Sequence, residues 1–459
     1  MTHTFNATIL REYDVRGIVG QTLGRDDAYA LGRTYGSLAR DEGAHRIAVG
    51  RDGRLHSPEL EQALVDGLTQ SGLDVVRIGV GPSPMLYFAA ATLDVQGGIQ
   101  VTGSHNPPEY NGFKLLLNGR SVFGAEIQQL GRRAAAGEWS DGDGQVEEAD
   151  ILDAYVDRLV EDFSGNGYRI GWDPGNGAAG RAVLKLVEKL PGEHFTIHTE
   201  IDGTFPSHHP DPTVEANLAD LKALVRDNGL DIGFAFDGDA DRIGAIDGKG
   251  RVIWGDQLMM LLAAPVLREL PGATIIADVK ASQTLFDRIA ELGGEPLMWK
   301  TGHSLIKSKM RETGAPIAGE MSGHIFFKHR WYGFDDALYA AVRVIEAVSQ
   351  SGKSLTELVD EMPTSVATPE MRFPVDESRK FAVVEEVRDR LASDGATVNA
   401  TDGVRVNTAD GWWLLRASNT QDVLVGRAEA KDEAALERLV GQLDEQLGKS
   451  GVERTEAAH

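Results

Sequence analysis

Residues 101–114 read Val-Thr-Gly-Ser-His-Asn-Pro-Pro-Glu-Tyr-Asn-Gly-Phe-Lys and run from the end of one short apolar segment to the start of the next. The flanking segments, 98–103 and 112–117, have the composition of buried β-strands. The residues between them must form a loop, because Pro107-Pro108 cannot donate ladder hydrogen bonds and the Asn-Gly pair at 111–112 favours a turn. The sequence therefore predicts a strand, a polar loop and a returning strand.

This first loop presents a hydroxyl, an imidazole and an amide at Ser104, His105 and Asn106. A serine beside a histidine is one arrangement that activates a nucleophile. A polar surface turn is the more common outcome for such a segment taken alone. The loop becomes informative only together with the three that follow.

The second loop follows the apolar segment 232–236 and reads Asp237-Gly-Asp-Ala-Asp-Arg242. Three carboxylates at alternate positions repel one another unless a cation neutralises them. Mg²⁺ prefers oxygen ligands of this kind, whereas an EF-hand would need Gly where Arg242 stands and Glu where Gly248 stands. We therefore predict a Mg²⁺ site on Asp237, Asp239 and Asp241; a solvated acidic turn is the alternative.

Two further polar loops also follow predicted strands. A strand at 316–320 is followed by Met-Ser-Gly at 321–323 and a second strand at 324–327. A late strand at 412–416 precedes Ala-Ser-Asn-Thr-Gln at 417–421. The guanidinium of Arg416, with the hydroxyls and amide that follow it, suits a phosphate, although an ordinary polar hairpin would look similar.

Composition limits the possible classes. A chain of 459 residues should divide into three or four domains. Its 42% hydrophobic and 25% charged content is typical of a soluble globular protein, and the absence of cysteine excludes disulfides and thiolate metal sites. The N-terminal residues lack signal-peptide character, and no apolar run approaches the roughly 18 residues of a membrane span. We expect a cytoplasmic protein.

The net charge of −24 argues against nucleic acid as a partner. The same charge would repel a phosphorylated substrate, so a site for one must gather its own cations. Six basic residues fall in or beside the recognisable segments: Arg16, Lys114, Arg242, Lys280, Lys300 and Arg416.

Three β-α-β patterns, with first strands at 46–50, 168–172 and 274–279, predict parallel strands with crossover helices. Each pattern is followed by one strand-loop-strand, at unequal spacing, so the repeat is one of topology and not of sequence period. The fold class is therefore α/β, with three topologically similar domains of mixed sheet. Beyond Phe373, four predicted strands and a helix indicate a smaller C-terminal antiparallel α+β domain.

Together the loops resemble the α-D-phosphohexomutase superfamily, and most closely the bacterial phosphomannomutase/phosphoglucomutase group. The four principal matches are Thr102-Gly-Ser-His-Asn-Pro107, Asp237-Gly-Asp-Ala-Asp-Arg242, Gly319-Glu-Met-Ser-Gly-His324 and Arg416-Ala-Ser-Asn-Thr420. Supporting matches are Arg11-Glu-Tyr-Asp-Val-Arg-Gly17, Gly50-Arg-Asp-Gly-Arg54, Asp278-Val-Lys280 and Lys300-Thr-Gly-His-Ser304. The resemblance implies four domains around a central cleft. We place the domains at 1–145, 146–252, 253–366 and 367–459.

The resemblance also implies a mechanism. Ser104 would be a phosphoserine that phosphorylates a hexose monophosphate, and the 1,6-bisphosphate formed would turn round in the cleft and return its other phosphate. Mg²⁺ would be held by the three aspartates and by the phosphoserine, and glucose 1,6-bisphosphate would be the activator. The expected catalytic residues are Ser104, His105, Lys114, Arg16 and Arg242. The expected substrate-binding residues are Tyr13, Lys280, His303, Glu320, Ser322, His324, Arg416, Ser418, Asn419 and Thr420.

The expected partners are phosphosugars, with no nucleic acid or membrane partner, and the expected state is a monomer. Three other functions remain open from the residues. A glucosamine-phosphate mutase differs only in the sugar, and Met321 leans towards glucose and mannose. A phosphatase of the haloacid-dehalogenase type would use Asp237 as nucleophile, but it would leave Ser104 without a role. A non-enzymatic sugar-phosphate binding protein would give no reason for the acidic loop.

Overall fold

Four β-sheets follow one another along the chain in the computed structural model, which describes residues 2–419 and 421–454. The first three sheets mix parallel and antiparallel strands, and the last is antiparallel throughout. The predicted fold class is confirmed.

The first sheet contains the strands β1 (Val15–Ile18), β2 (Arg46–Arg51), β3 (Asp74–Val80), β4 (Gly97–Val101), β5 (Tyr110–Leu117), β6 (Arg120–Ser121) and β7 (Val146–Glu148). Its helices are α1 (Arg25–Asp41), α2 (Ser57–Gln70), α3 (Ser83–Thr92) and α4 (Ala125–Ala136). The strand order is β1-β5-β4-β2-β3-β7, with β6 paired to β5. β7 begins just beyond the boundary predicted at residue 145, and it covers the edge of β3, which would otherwise be unpaired.

The second sheet contains β8 (Tyr168–Asp173), β9 (Gly192–Thr196), β10 (Ile232–Phe236), β11 (Ile243–Asp247) and β12 (Val252–Ile253). Its helices are α5 (Leu152–Val160), α6 (Gly180–Val187) and α7 (Ala219–Asn228). The order is β12-β11-β10-β8-β9, in which β8 is parallel to both neighbours.

The third sheet contains β13 (Thr274–Asp278), β14 (Glu295–Trp299), β15 (Ile317–Gly319), β16 (Ile325–Phe327) and β17 (Phe334–Asp335). Its helices are α8 (Gly255–Glu269), α9 (Gln283–Glu291), α10 (His303–Thr313), α11 (Ala337–Ser351) and α12 (Leu355–Asp360). The order is β14-β13-β15-β16-β17.

The fourth sheet contains β18 (Val366–Ala367), β19 (Met371–Pro374), β20 (Val398–Asn399), β21 (Val404–Thr408), β22 (Gly411–Ala417) and β23 (Val423–Ala430). Its helices are α13 (Glu377–Ser393) and α14 (Glu433–Lys449). The order is β18-β23-β22-β21-β20, with β19 also paired to β23. The apolar stripe predicted for the last helix is confirmed, since Leu439, Leu443 and Leu447 are buried on α14.

The first three sheets share one four-stranded core. In order across the sheet these cores are β5-β4-β2-β3, β11-β10-β8-β9 and β16-β15-β13-β14. The third and fourth positions of each core are the parallel pair of the β-α-β unit, and the first two are an antiparallel pair joined by a polar loop. The predicted repeat of topology is therefore confirmed, and each domain carries its polar loop at the same place.

The apolar cores show which domains are joined most firmly. Phe88 and Tyr87 of α3 pack against Tyr155 of the second domain and Phe334 of the third, within one continuous buried cluster. The fourth domain has a core of its own, built around Phe373 and the buried face of α14. Burial of shared apolar surface therefore holds the first three domains together.

Candidate active site

Ser104 lies in the loop between β4 and β5, buried at 3% exposure and with a positive φ of 49°. Its hydroxyl oxygen is 3.1 Å from Nδ1 of His105 and donates to Oδ2 of Asp237 at 3.0 Å. The second-domain loop approaches closely because Gly238 has no side chain: a Cβ there would lie 2.4 Å from the carbonyl oxygen of Ser104. Two loops that are distant in sequence thus meet at the serine.

A buried guanidinium fixes the backbone of this loop. Arg54 donates from Nη1 and Nη2 to four carbonyl oxygens, those of Ser104, Asn106, Pro107 and Tyr110. Its Nε lies 3.2 Å from Asp52, whose carboxylate also accepts from the amide of Gly103 at 3.1 Å. A planar group with five donors is well suited to hold several carbonyls in one geometry.

Asp237, Asp239 and Asp241 project from the loop between β10 and β11, and all three are fully buried. One oxygen of Asp237 accepts from the backbone amides of Asp241 and Arg242, each at 3.1 Å. These bonds curl the loop, so that one oxygen from each carboxylate lies within 4.8 Å of the others. The convergence predicted from the alternate spacing is present.

Two groups of the first domain contact this acidic loop. Ser83, at the start of α3, hydrogen-bonds through its hydroxyl to Oδ2 of Asp239, and its amide donates to the Asp239 carbonyl at 2.8 Å. Lys114 of β5 donates to Asp239 at 2.6 Å and also contacts Asp241. Oδ1 of Asp239 is buried and has no hydrogen-bond partner among the described residues. A carboxylate oxygen left in this state, beside two more carboxylates, fits a hard divalent cation such as Mg²⁺.

The charges of this cluster alter one another's ionisation. Burial and the carboxylates of Asp241 and Asp239 raise the pKa of Asp237 well above its usual range. Burial opposes the charge on Lys114, but the neighbouring aspartates outweigh it and raise the Lys114 pKa. Burial, together with the positive charges of Arg242 and Arg16, lowers the pKa of His105 well below 6.5, so its imidazole is neutral at pH 7.

Arg16 and Arg242 are two cations that line the cleft near the serine. Arg16 of β1 donates to the side-chain oxygen of Asn106 at 2.5 Å and to the Gly103 carbonyl at 3.2 Å. Arg242 follows the acidic loop, and its Nε lies 3.4 Å from Nε2 of His324. Both cations therefore lie in or beside the loops that carry the serine and the carboxylates, as expected for a site that must attract phosphate.

The third-domain loop, between β15 and β16, brings Glu320, Ser322 and His324 to the same place. Nδ1 of His324 is 2.7 Å from Glu320 and 3.2 Å from the hydroxyl of Ser322, and Nε2 is 3.2 Å from Asp241. Burial opposes the imidazolium, but Asp241 and Glu320 raise the pKa of His324 to about 9. This charged ring connects the third-domain loop to the acidic loop, and the backbones of Arg242 and His324 also pair.

His303 and Lys280 complete the wall contributed by the third domain. The His303 ring stacks on His324 with centroids 5.6 Å apart, and burial and nearby cations lower its pKa well below 6.5. Lys280 lies 3.1 Å from Glu370, in the segment that leads into the fourth domain. The Lys280 charge, against some opposition from burial, lowers the pKa of Glu370 to about 2.

The fourth domain contributes the loop between β22 and β23. Arg416 donates through Nε to Asp402 at 2.9 Å, so this residue orients the guanidinium. The Ser418 hydroxyl accepts from the amide of Gln421 at 3.2 Å, and Asn419 donates to the hydroxyl of Tyr13 at 2.5 Å. Thr420, assigned to the same phosphate-binding group, lies outside the described residues.

A single cleft of about 1430 Å³ is lined by residues of all four domains. The predicted site residues that line it are Tyr13, Arg16, Ser104, His105, Lys114, Asp241, Arg242, Lys280, His303, Glu320, Ser322, His324, Arg416, Ser418 and Asn419. Asp237 and Asp239 lie buried beneath the serine. None of the helices in residues 2–419 and 421–454 combines the length and apolar character of a membrane crossing.

Several residues that contact the site residues or their loops were assigned no role from the sequence. They are Asp52, Arg54, Ser83, Asp278, Glu370, Asp402 and Arg427. Asp278 accepts from the amide of Met321 at 3.2 Å and from Thr301 at 3.1 Å, which positions the third-domain loop. Asp52, Arg54 and Asp278 belong to the family motifs quoted above, and this membership was the signal that could have indicated their roles. Ser83 and Asp402 belong to none of those motifs.

Comparison with known proteins found a family model for each of the four domains. Four family models match in order: phosphoglucomutase/phosphomannomutase alpha/beta/alpha domain I at 7–140, domain II at 153–250, domain III at 254–366, and the C-terminal domain at 370–446.

The curated relatives are similar along nearly their full lengths. A phosphomannomutase/phosphoglucomutase of Pseudomonas aeruginosa is 45% identical over 438 residues, covering 95% of this chain and 94% of the relative. A phosphoglucomutase of Neisseria gonorrhoeae is 46% identical over 441 residues, covering 94% and 95%. A crystal structure of a phosphoglucomutase/phosphomannomutase family protein from Burkholderia thailandensis has a TM-score of 0.92 at 43% identity, covering 99% of each chain.

Proposed function

The chain belongs to the phosphoglucomutase/phosphomannomutase family, and from that premise we propose that it interconverts the 1-phosphates and 6-phosphates of glucose and mannose. It is an isomerase of the phosphotransferase mutase class. The observation that carries the proposal is the contact between Ser104 and Asp237, which places a hydroxyl against three converging carboxylates at the floor of the cleft. A serine that carries a phosphoryl group needs positive charge and fixed geometry around it, and this cleft provides both.

In the first half-reaction, a hydroxyl oxygen of the sugar monophosphate forms a bond to the phosphorus of phosphorylated Ser104. The bond between that phosphorus and the serine oxygen breaks, the sugar hydroxyl releases its proton, and the serine oxygen gains one. His105 is the group through which we route the serine proton, because its Nδ1 lies 3.1 Å from the hydroxyl oxygen. Lys114 and Arg16 are the other candidates and stand as cations beside the transferred group.

Asp237, Asp239 and Asp241 would hold Mg²⁺ together with an oxygen of the phosphoserine. The ion supplies Lewis-acid stabilisation of the charge on the transferred group. The buried oxygen of Asp239, which lacks a partner among the described residues, supports this assignment. Arg242 adds a second cation at the same side of the serine.

The remaining loops would grip the two ends of the sugar phosphate. Glu320 and Ser322 would bind adjacent ring hydroxyls, since a carboxylate accepts and a hydroxyl both donates and accepts. Arg416, Ser418, Asn419 and Thr420 would bind the phosphate that is not being transferred. In the second half-reaction the bisphosphate, turned end for end, would return its other phosphoryl group to Ser104. Glucose 1,6-bisphosphate from solution would phosphorylate Ser104 again in enzyme that has lost its phosphoryl group.

The experiment is phosphate mapping combined with turnover. Intact mass and peptide mapping should find phosphate on the peptide that contains Ser104. The variant Ser104→Ala should lose nearly all conversion of glucose 1-phosphate to glucose 6-phosphate while still binding it. Ser393→Ala is the matched control, because the Ser393 hydroxyl donates to the carbonyl oxygen of Asp389 in its own helix at 2.9 Å. Substantial turnover in Ser104→Ala would refute the phosphoserine mechanism.

The same assay separates the competing functions. A phosphatase using Asp237 would release inorganic phosphate and would remain active in Ser104→Ala. A sugar-phosphate binding protein would neither isomerise nor hydrolyse glucose 1-phosphate. A preference for glucosamine phosphates would appear as a higher kcat/KM for those substrates than for glucose or mannose phosphates.

A further inference from the structure

A second cluster of metal-ligating side chains lies outside the cleft, in the second domain. Asp173 stands at the end of β8, and His198 and His208 stand in the segment after β9. One nitrogen from each ring and one carboxylate oxygen lie within 4.8 Å of one another. Asp173 is fully buried, whereas the two imidazole side chains keep 22% and 13% exposure.

The outer hydrogen bonds of both rings are those of metal-binding histidines. Nδ1 of His208 is 3.0 Å from the carbonyl oxygen of His209, and Nε2 of His198 is 3.1 Å from Asp220. In protein metal sites a liganding imidazole usually donates its other N–H to a backbone carbonyl or a carboxylate, as these two rings can. In a metal-bound form, that choice of tautomer would leave Nε2 of His208 and Nδ1 of His198 as the ligand atoms.

Asp173 supplies the third donor. Its Oδ2 lies 2.9 Å from Nε2 of His208, which makes a hydrogen bond between them, and a metal ion at this place would replace the proton of that bond. Its other oxygen accepts from the amide of Gly175 at 2.9 Å, which orients the carboxylate. Each of the three groups is therefore positioned by a separate partner.

We propose that Asp173, His198 and His208 form an accessory site for one divalent transition-metal ion of the Zn²⁺ or Co²⁺ type. Two imidazoles and one carboxylate are a donor set of these ions, whereas Mg²⁺ prefers oxygen. Metal–nitrogen bonds of about 2.0–2.1 Å require small adjustments of the three side chains, and the partly exposed rings leave room for a water ligand. The inference does not depend on the proposed reaction.

The position of the cluster assigns it a structural role. Asp173 pairs in register with Ala235 of β10, two residues before the acidic loop begins. The segment after Asp173 also contacts that loop, since the amide of Ala178 donates to the Gly238 carbonyl at 2.9 Å. A metal bound here would cross-link the segments that support the loop of Asp237, Asp239 and Asp241, without contacting the cleft.

The test is a titration of the full-length protein with Zn²⁺ by calorimetry and with Co²⁺ by visible absorption, with Mg²⁺ in large excess to occupy the acidic loop. We expect a single equivalent to bind and the protein to melt at a higher temperature. The Co²⁺ complex should show the intense bands of a four- or five-coordinate ion. Failure of both ions to bind under these conditions would overturn the proposal.

The variants locate the binding. His198→Asn removes the imidazole but tolerates the positive φ of 51° at this position, because Asn adopts that backbone conformation readily. Asp220→Asn should weaken binding by about ten- to a hundredfold, and His198→Asn by at least as much. His208→Gln is the second test if His198→Asn does not fold.

The matched control is His329→Asn, which removes another histidine paired with a carboxylate, Glu269, at 2.8 Å. This variant should bind Zn²⁺ as the wild type does. Undiminished binding in folded His198→Asn or His208→Gln would overturn the proposal, as would an equal loss in His329→Asn.

Discussion

Asn419 of the fourth domain donates a hydrogen bond of 2.5 Å to the hydroxyl of Tyr13 of the first, and that hydroxyl donates in turn to the Thr301 carbonyl at 2.8 Å. The Tyr13 ring also packs edge-on against His303, with centroids 5.9 Å apart. One side chain thus connects three domains at the rim of the cleft. The fourth domain has a separate main core and packs Trp412 and Leu414 against Val279 of the third domain, so polar contacts of this kind add to a small apolar contact in fixing its position.

Replacing Tyr13 with Phe removes both hydrogen bonds and keeps the ring. Each bond contributes about 0.5–1.5 kcal/mol, so the loss of both should raise KM for the sugar phosphates about fivefold to more than a hundredfold, with a smaller change in kcat. Steady-state kinetics measure both constants. Tyr29→Phe, which removes a surface bond of 2.6 Å to Gln70, should leave them unchanged. An unchanged KM in Tyr13→Phe would show that this contact does not contribute to substrate binding.

Asp239→Asn removes one charge of the acidic loop at nearly constant volume. The variant should need a much higher Mg²⁺ concentration for half-maximal turnover, because one anionic ligand is lost. Chelation should abolish turnover of the wild type and added Mg²⁺ should restore it. Asp227→Asn, at a solvent-exposed residue of α7, is the control. An identical Mg²⁺ dependence in Asp239→Asn and wild type would exclude Asp239 as a ligand.

Arg54→Lys keeps the buried charge but loses the fork that holds four carbonyl oxygens of the serine loop. We expect kcat to fall, KM to change little, and the free energy of unfolding to drop by about 2–3 kcal/mol as buried carbonyls lose partners. Arg40→Lys is matched to it, since Arg40 also donates to two backbone carbonyls, at 3.0 and 3.1 Å, but at the surface. Equal effects of the two substitutions would remove any special role for Arg54.

Arg416→Ala truncates the guanidinium assigned to the non-reacting phosphate. A charge-assisted bond of about 1.5–3 kcal/mol corresponds to about a ten- to more than a hundredfold loss in kcat/KM. The loss should be similar for glucose and mannose phosphates, because both present the same phosphate. Arg438→Ala, whose Nε bonds Asp410 at 2.7 Å in the same domain, controls for loss of a salt bridge. A loss confined to one sugar would mean that Arg416 reads the ring.

The Lys280–Glu370 pair makes the attachment of the fourth domain sensitive to acid. Since the pKa of Glu370 falls from 4.5 to about 2 on folding, the pair stabilises the protein above pH 4.5, and this contribution is lost as the pH falls towards 2. Glu370→Gln should therefore melt below the wild type at neutral pH, and the difference should shrink as the pH falls below about 4.5. A difference in melting temperature that stays constant across this range would contradict the assignment.

Local patterns were enough to predict the elements that carry the site. The strand before Asp237 and the strand before Ser104 are short, apolar and followed at once by polar residues, so their ends could be read directly. The repeated β-α-β units then implied that these ends lie at one edge of each sheet. The roles of the residues within the quoted motifs came from the resemblance to a family, because the spacing of residues along the sequence does not indicate them.

Long-range contacts between ordinary residues could not be predicted. Ser83 is 156 residues from Asp239, and it stands at a helix start where a serine is expected for local reasons. Asp402 orients Arg416 from a loop whose sequence, Thr-Asp-Gly, is typical of any turn. The pairing of such residues depends on how domains pack, and a single sequence carries no local signal for that packing.

The bond between Ser83 and Asp239 also has a consequence for how the protein is made. The loops of Ser104, Asp237 and Glu320 are all translated before residue 325, whereas the fourth-domain loop closes only when β23 pairs with β22. A growing chain can therefore form the contacts of Ser104 and Ser83 with the acidic loop, across the first two domains, before the fourth domain has been made. If the fourth-domain loop binds the phosphate that is not transferred, as we propose, the order of the domains along the chain delays turnover until that loop has formed.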